Sequence, residues 1–287
     1  MNIFDCFIYN NEAMILDLRL SYLNKYVKKF IIVESKYTHQ GNLKKNFLDL
    51  NDFKKYKDKI DYNLIDKFPE NLSNWGRENY QRNFLMNSIK DLNEDDYIMI
   101  SDLDEIPNLR NLNSIIKSKF TAFQQTNYSF KFNLKNITFP IWYGTRSCKK
   151  KYLKSPQWLR DIKTKKRPFW KVYKPKEPQL IFNGGWHFSF LKKPKDISRK
   201  IKVYAHQEFY KDEFVDEDKI AKRIQNNQDL FDREFQYKKI EIDESFSKEG
   251  VLEIPVSTLM EISTRRRARP ISISSNKSSL DSRLAWT

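Results

Sequence analysis

The chain has 287 residues, enough for one large domain with a real core, and its 31% charged and 15% aromatic content describes a folded globular protein and excludes a disordered one. No apolar run approaches the ~18 residues of a membrane span, and the start, "MNIFDCFIYNNE", lacks the basic onset and small-residue cleavage site of a signal peptide, so a cytoplasmic protein is expected. The net charge of +16 admits acidic partners as readily as a plain lysine-rich surface, while Cys6 and Cys148, alone and far apart, exclude a disulfide framework.

In chain order, "NIFDCFIYN" is β-rich and ends in polar residues. "NEAMILDLRLSYLNKYV" carries Met14, Leu18, Tyr22 and Val27 near helical spacing, and "KFIIVES" is a short continuous apolar run, as for a strand buried on both faces. "DKIDYNLID" reads as a third strand. "NYQRNFLMNSIKDL" reads as one helix with Tyr80, Phe84, Ile89 and Leu92 along one side, and "YIMIS" as another buried strand. This β-α-β-β-α-β order predicts an α/β fold: a mostly parallel, Rossmann-like mixed sheet flanked by helices. Past Asn113 the pattern changes. "FTAFQQTNYSFKFNLKN" alternates as antiparallel or edge strands do, and "PKDISRKIKVYAHQEF" and "DEDKIAKRIQNNQDLFD" read as helices, the second with acids at its start. The expected organisation is one main domain over 1–255, divided into halves at 113/114. An Arg/Ser-rich tail at 256–287 reads as flexible or non-native.

The stretch "DDYIMISDLDEIPNL" concentrates five acidic residues around a buried-looking strand in a basic chain. In an open α/β sheet, ligands bind beyond the carboxyl ends of the strands. Asp102 and Asp104, spaced i, i+2 in the turn that leaves this strand, suit convergence on one divalent cation, manganese or magnesium, which keeps coordination places for substrate phosphate. Glu105 adds a third carboxylate and Pro107 stops the strand. The plainer reading is that Asp102 caps a turn and Glu105 faces solvent.

"DLDEIP" resembles the D-x-D-E-I-P of the family-17 glycosyltransferases. So do "DCFIYNNE", "FIIVESKYTHQG", "WGRENYQRNFL" and "GGWHFSF", in the same order as that family's landmarks, from Asp5 to about Phe209. The resemblance implies a GT-A fold, a nucleotide-sugar donor linked to UDP, a divalent cation and inversion at the sugar carbon. N-acetylglucosamine or a related hexose is the implied sugar, with 1–113 as the nucleotide-sugar half and 114–255 as the acceptor half.

On that basis Asp102 and Asp104 would hold the cation, with His187 of "GGWHFSF" as a further ligand; the plain alternative for His187 is a satisfied core histidine. Asn11 and Glu12 end the first strand, and Glu34 and Ser35 the second, where a GT-A layout holds uridine and ribose; helix capping is the other reading for Asn11 and Glu12. Arg77 and Arg82 suit phosphate oxygens, and either could equally pair with Glu78 or with the acidic cluster; for Arg82 a structural salt bridge near the metal is the favoured reading. The acceptor's proton needs a carboxylate base: Glu208 ranks first, with Glu105 and Asp161 behind it, and Asp104 belongs to the catalytic group through the cation.

"SPQWLRDIKTKKRPFWKVYK" offers Trp158 or Trp170 to a sugar ring, and its charge suits a lipid-linked glycan acceptor at the anionic inner membrane face. Two other classes compete, a basic nucleic-acid-binding protein and a metal-dependent nucleotidyl-transfer or phosphoester enzyme. The carboxylates at the strand end argue against nucleic acid, since they repel phosphate without a metal between.

Overall fold

The computed structural model describes residues 1–45, 47–110, 118–166, 170, 175–203 and 210–241. The boundaries expected at 113/114 and 255/256, and the Arg/Ser-rich tail, lie outside these described residues.

The amino-terminal half is a parallel α/β unit. β1 (Ile3–Ile8) is followed by α1 (Ala13–Leu23), β2 (Lys29–Ser35), a 3-10 segment (Leu50–Lys59), β3 (Ile60–Ile65), α2 (Asn74–Asn83), α3 (Met86–Ile89) and β4 (Tyr97–Asp102). β1 pairs in parallel with both β2 and β4, and β2 with β3, so these four strands lie in the order β3-β2-β1-β4. The single helix expected over "NYQRNFLMNSIKDL" is two. Ser73 caps α2 by accepting from the Gly76 amide at 3.0 Å, and α2 closes at Phe84 before α3 begins.

The later half extends the same sheet with strands of mixed sense. β5 (Glu105–Pro107), β6 (Phe120–Ser129), β7 (Leu134–Asn136), β8 (Ile141–Lys149), β9 (Gln179–Ile181), β10 (Gly185–Ser189) and β11 (Tyr237–Lys239) complete eleven strands among the described residues. β8 runs antiparallel to both β4 and β6 and so joins the two halves. Among the described residues four helices accompany them: α4 (Pro156–Arg160), α5 (Pro194–Val203), α6 (Asp212–Val215) and α7 (Glu217–Gln225). The fold is therefore the α/β, Rossmann-like mixed sheet that the element order predicts.

Strand parity places the core and the acidic turn together, because successive side chains point to opposite faces of a sheet. Ile3, Phe7 and Tyr97, Met99 join the core on the α1 face; Phe4, Cys6 and Ile98, Ile100 join the core with Leu85, Ile89 and Leu159 on the other. A third cluster, Leu134, Ile197, Ile201 and Phe214 among it, seats α5 to α7 against the end of β7. Cys6 and Cys148 are buried free thiols.

Asp5 has the odd parity of the α1 face, and there it meets Arg19. Both are fully buried. The guanidinium donates to Asp5 through Nε at 2.8 Å and through NH2 at 2.6 Å, and through NH2 again to the Ser101 hydroxyl. Its NH1 reaches the backbone oxygens of Asp102 and Leu103, each at 3.1 Å, and of Glu105 at 2.8 Å. The flat face lies over the Phe7 ring at 4.6 Å. A buried charge is tolerated only when paired and fully hydrogen-bonded, and this one is. Arg19→Met should destabilise the protein by about 3 kcal/mol or more by orphaning Asp5, read from urea denaturation midpoints. The double variant Arg19→Met/Asp5→Leu should recover part of that loss; an unperturbed single variant would contradict the pairing.

Candidate active site

A cleft of about 850 Å³ opens at the carboxyl ends of β1 and β4. Its walls include Glu12, Asp102 and Asp104 from the parallel half and Asn127, Trp142 and His187 from the later half. Ile8 lies opposite Asp102 in register, so the cleft sits where the first strand and the acidic turn end together.

Asp102 has even parity and turns to the face that carries α2 and α4. Arg82 of α2 donates to its Oδ1 at 3.0 Å, and Arg160 of α4 to its Oδ2 at 3.1 Å. Burial works against the Asp102 charge, but the guanidiniums of Arg160 and Arg82 outweigh it and hold the carboxyl well below the usual range. Each oxygen is thus paired with one arginine, and the Arg82 contact is the salt bridge to the acidic cluster expected of that residue. Arg82 also pairs with Glu78 at 2.8 Å and donates to Gln157.

Glu105 is fully buried. It accepts from Arg160 at both oxygens (2.6 and 2.9 Å), from the Trp142 indole at 2.8 Å and from the Asp102 amide at 2.9 Å. A carboxylate so enclosed has no lone pair left for an acceptor hydroxyl. Its geometry is that of a clamp, which corrects the catalytic role expected of it. Gly144 permits the arrangement, since a Cβ there would lie 2.9 Å from the Glu105 carboxyl carbon and 1.9 Å from Gln125 Oε1.

Asp104 remains open to the cleft. After the turn, β5 lies antiparallel against β10, and the Phe188 amide donates to the Asp104 oxygen at 2.9 Å. Gly185, at φ +122°, makes this approach possible, because a Cβ would stand 2.1 Å from the Ile106 oxygen. The pairing sets His187 Nε2 3.8 Å from Asp104 Oδ1. Lys200 of α5 stands 3.6 Å from the other oxygen and 2.9 Å from Glu12, which Lys192 also approaches at 3.4 Å. Burial raises the Asp104 carboxyl despite Lys200 and His187, whereas Lys200 and Lys192 overcome burial and lower Glu12. Lys200 itself is held above the ordinary lysine value, since Glu12 and Asp104 outweigh its burial.

The His187 tautomer follows from its neighbour. Asn127 Nδ2 donates to the Phe139 oxygen at 3.1 Å, so Asn127 Oδ1 accepts from His187 Nδ1 at 3.1 Å. In the neutral ring the Nε2 lone pair then faces Asp104, the orientation that a metal-bound histidine needs. Among the described residues no group of three His, Cys, Asp or Glu side chains is gathered tightly enough to hold a metal alone. Asp104 and His187 fit the smaller share that protein supplies when a cation takes its other ligands from substrate phosphate.

Other expected residues lie apart from this centre. Glu34 is buried beneath the loop after β2, bonded to Lys44, to the Leu48 amide at 2.9 Å and to Tyr62 at 2.8 Å, and Ser35 accepts from the Tyr37 amide at 3.0 Å; neither lines the cleft, correcting their assignment to nucleotide. Arg77 likewise holds the loop, donating to the His39 oxygen at 3.0 Å. Asn11 is exposed, and its oxygen accepts from Lys192 at 2.9 Å. Glu12 stands at the start of α1 but makes no capping bond. His39 lines the cleft, while Asp161 is exposed and accepts from Gln157 at 3.0 Å. Trp158 packs on Phe120 in a separate pocket. Glu208 lies outside the described residues. Arg19, Arg160, Lys200 and Trp142, none of them expected, build the centre; each is an ordinary-looking residue far in sequence from what it touches.

The model of Glycosyltransferase family 17 matches residues 1–259. The human and the rat beta-1,4-mannosyl-glycoprotein 4-beta-N-acetylglucosaminyltransferases are each 31% identical to this chain over 108 residues, 34% of this chain and 20% of the relative. The matched stretch thus spans about a fifth of the length of those curated relatives. Among solved structures, the 2-C-methyl-D-erythritol 4-phosphate cytidylyltransferase of Francisella tularensis aligns over 63% of this chain and 90% of its own, at 12% identity and a TM-score of 0.32, too distant to carry an argument.

If Glu105 is a clamp, Glu105→Gln should cost about 3 kcal/mol of stability, because it leaves the Arg160 charge short of a partner. Chemical denaturation followed by tryptophan fluorescence measures this, and an unchanged midpoint would return Glu105 to the list of candidate bases.

Proposed function

The chain belongs to glycosyltransferase family 17, and from that premise we propose that it moves a hexose, N-acetylglucosamine or a close relative, from a UDP-sugar to a hydroxyl of a glycan or glycolipid acceptor. The observation that carries the reading is Asp104 and His187 facing one another in the cleft at the carboxyl end of the parallel strands. Names of the relatives support the sugar only through the matched fifth of their length.

In the proposed reaction the acceptor oxygen attacks the anomeric carbon with inversion. The bond from that carbon to the diphosphate breaks, UDP leaves with the electron pair, and the acceptor's proton passes to a carboxylate base. Glu208 stays the residue proposed for that base. A manganese or magnesium ion held by Asp104 and His187 would act as a Lewis acid on the diphosphate. Lys200, kept protonated by Glu12 and Asp104, supplies a further positive charge beside the departing group. Arg82 and Arg160 anchor Asp102 and so fix the turn that presents Asp104. Glu12 holds Lys200 and Lys192 at the cleft wall.

The wider reading keeps the protein in the cytoplasm, in peripheral contact with the anionic inner face of a membrane. A basic, aromatic pocket supports it. Lys119, Lys154 and Lys176 ring Phe120, Tyr152 and Trp158 in a volume of about 940 Å³. It sits at the Phe120 end of β6, roughly 30 Å of strand from the cleft at the Ser129 end. No helix among the described residues is long and apolar enough to cross a membrane. Flotation with vesicles rich in phosphatidylglycerol should carry the protein upward at low salt; recovery of all of it in the bottom fraction would refute the contact.

The transferase reading predicts a thermal shift that needs both manganese and a UDP-sugar, and slow UDP-sugar hydrolysis. Asp104→Asn should abolish turnover by 100-fold or more while leaving the fold intact, on the order of an electrostatic group removed from a reacting centre. His187→Ala should weaken manganese about tenfold. Wild-type turnover in Asp104→Asn would end the assignment.

A further inference from the structure

The cleft has a second wall that the transfer chemistry leaves unused. "NITFPIWYG", Asn136 to Gly144, carries no charge in a chain that is 31% charged. Besides Ile137, four of its side chains are large, apolar and open to solvent: Phe139 at 53%, Ile141 at 44%, Trp142 at 41% and Tyr143 at 38%. All four line the cleft, and Phe235 extends the strip, its ring centroid 4.7 Å from that of Phe139. A contiguous exposed apolar surface of this kind marks a binding site.

The strip is held still rather than frayed. The Phe139 amide donates to Asn136 Oδ1 at 2.8 Å, and the Asn127 amide to the Pro140 oxygen at 3.0 Å. The Ile137 amide donates to the Gln236 oxygen, and the Gln236 amide to Thr138 Oγ1, each at 2.9 Å. Trp142 is oriented from two directions. Its indole N–H is given to Glu105, and one face of its ring lies on His187, centroids 4.6 Å apart and planes 16° from parallel. What remains for a ligand is the other, exposed face. A ring seated on that face shares the cleft with Asp104, with the stacked Trp142 and His187 between them.

We propose that this strip is the acceptor subsite, and that it takes an uncharged β-hexopyranoside stacked on Trp142 and flanked by Phe139 and Phe235. The inference rests on the glycosyl-transfer reading. The face of an aromatic ring is electron-rich, and a β-hexopyranoside presents axial C–H groups, weakly positive, on one side of its ring. The cation beside the strip, Arg233, whose guanidinium stands 4.3 Å from the Phe235 ring centroid, is already paired with Asp229 at 2.7 Å, so a neutral sugar is favoured over an anionic one, and aromatic walls with a few fixed polar groups are the usual make-up of a ligand site. This places sugar stacking at Trp142, in the cleft, and not at Trp158, which packs at the far end of the sheet.

Saturation-transfer NMR of the full chain with UDP and magnesium tests it, using methyl β-D-mannopyranoside, methyl β-D-glucopyranoside and diacetylchitobiose as probes. Saturation should reach the axial C–H protons of at least one probe, and methyl β-glucuronide should not compete. Phe139→Ala and Trp142→Ala should each weaken binding roughly tenfold, the scale of one lost ring contact. No saturation of any probe, or equal saturation in Trp142→Ala, overturns the subsite. Hydrolysis separates the two readings. UDP-sugar hydrolysis without sugar binding sinks the subsite alone, and sugar binding without hydrolysis of any UDP-sugar sinks the transferase while the subsite stands.

Discussion

One buried guanidinium organises the centre of this protein. Arg19 neutralises Asp5 in the core and spends its remaining donors on the backbone of the turn that carries Asp102 and Asp104. Desolvating such a charge is costly, and only a complete set of partners offsets it. The chain therefore cannot relax the turn without exposing a charge in its core. A loop that would otherwise be free to move becomes as rigid as the sheet beneath it.

The same logic repeats one layer up. Arg160 bridges Asp102 and Glu105, and Arg82 bridges Asp102 and Glu78, so the acidic cluster that looks repulsive in sequence is locally neutral in space. Asp104 is held more loosely, by Lys200 at 3.6 Å, and burial raises its carboxyl above the usual value even with Lys200 and His187 near it. Its negative charge is the least satisfied of the cluster. That is the expected condition of a group awaiting a cation or a substrate, and perturbed carboxylates gather at functional sites for this reason.

Glu105 connects the two sides of the cleft. One set of contacts reaches Arg160 and the acidic turn, another reaches Trp142, which in turn lies on His187. Asn127 closes the circuit by orienting both His187 and the loop at Phe139. The acidic turn and the aromatic wall therefore share supports, and a change in one is felt in the other through packed, hydrogen-bonded contacts. Preorganisation of this sort counts for much in group transfer, where the reacting atoms need a narrow range of geometry.

The sequence by itself was enough to establish the alternating strands and helices, the parallel first half and the acidic turn at a strand end, because apolar periodicity and breaking residues are local properties. It was enough, too, for the family landmarks around Asp104 and His187. It offered Arg82 as a salt-bridge partner for the acidic cluster but not Arg160, which is 58 residues from Asp102 and looks like any basic residue in a basic segment. Nor could it show that Arg19, an apparent charge on an apolar helix, lies in the core, or that Glu34 lies beneath a loop instead of in the cleft. Strand parity settles which face a side chain takes, but which partner waits there depends on how helices distant in sequence dock on the sheet. Pairing of buried charges is a matter of three-dimensional neighbours, and only the tertiary structure decided it.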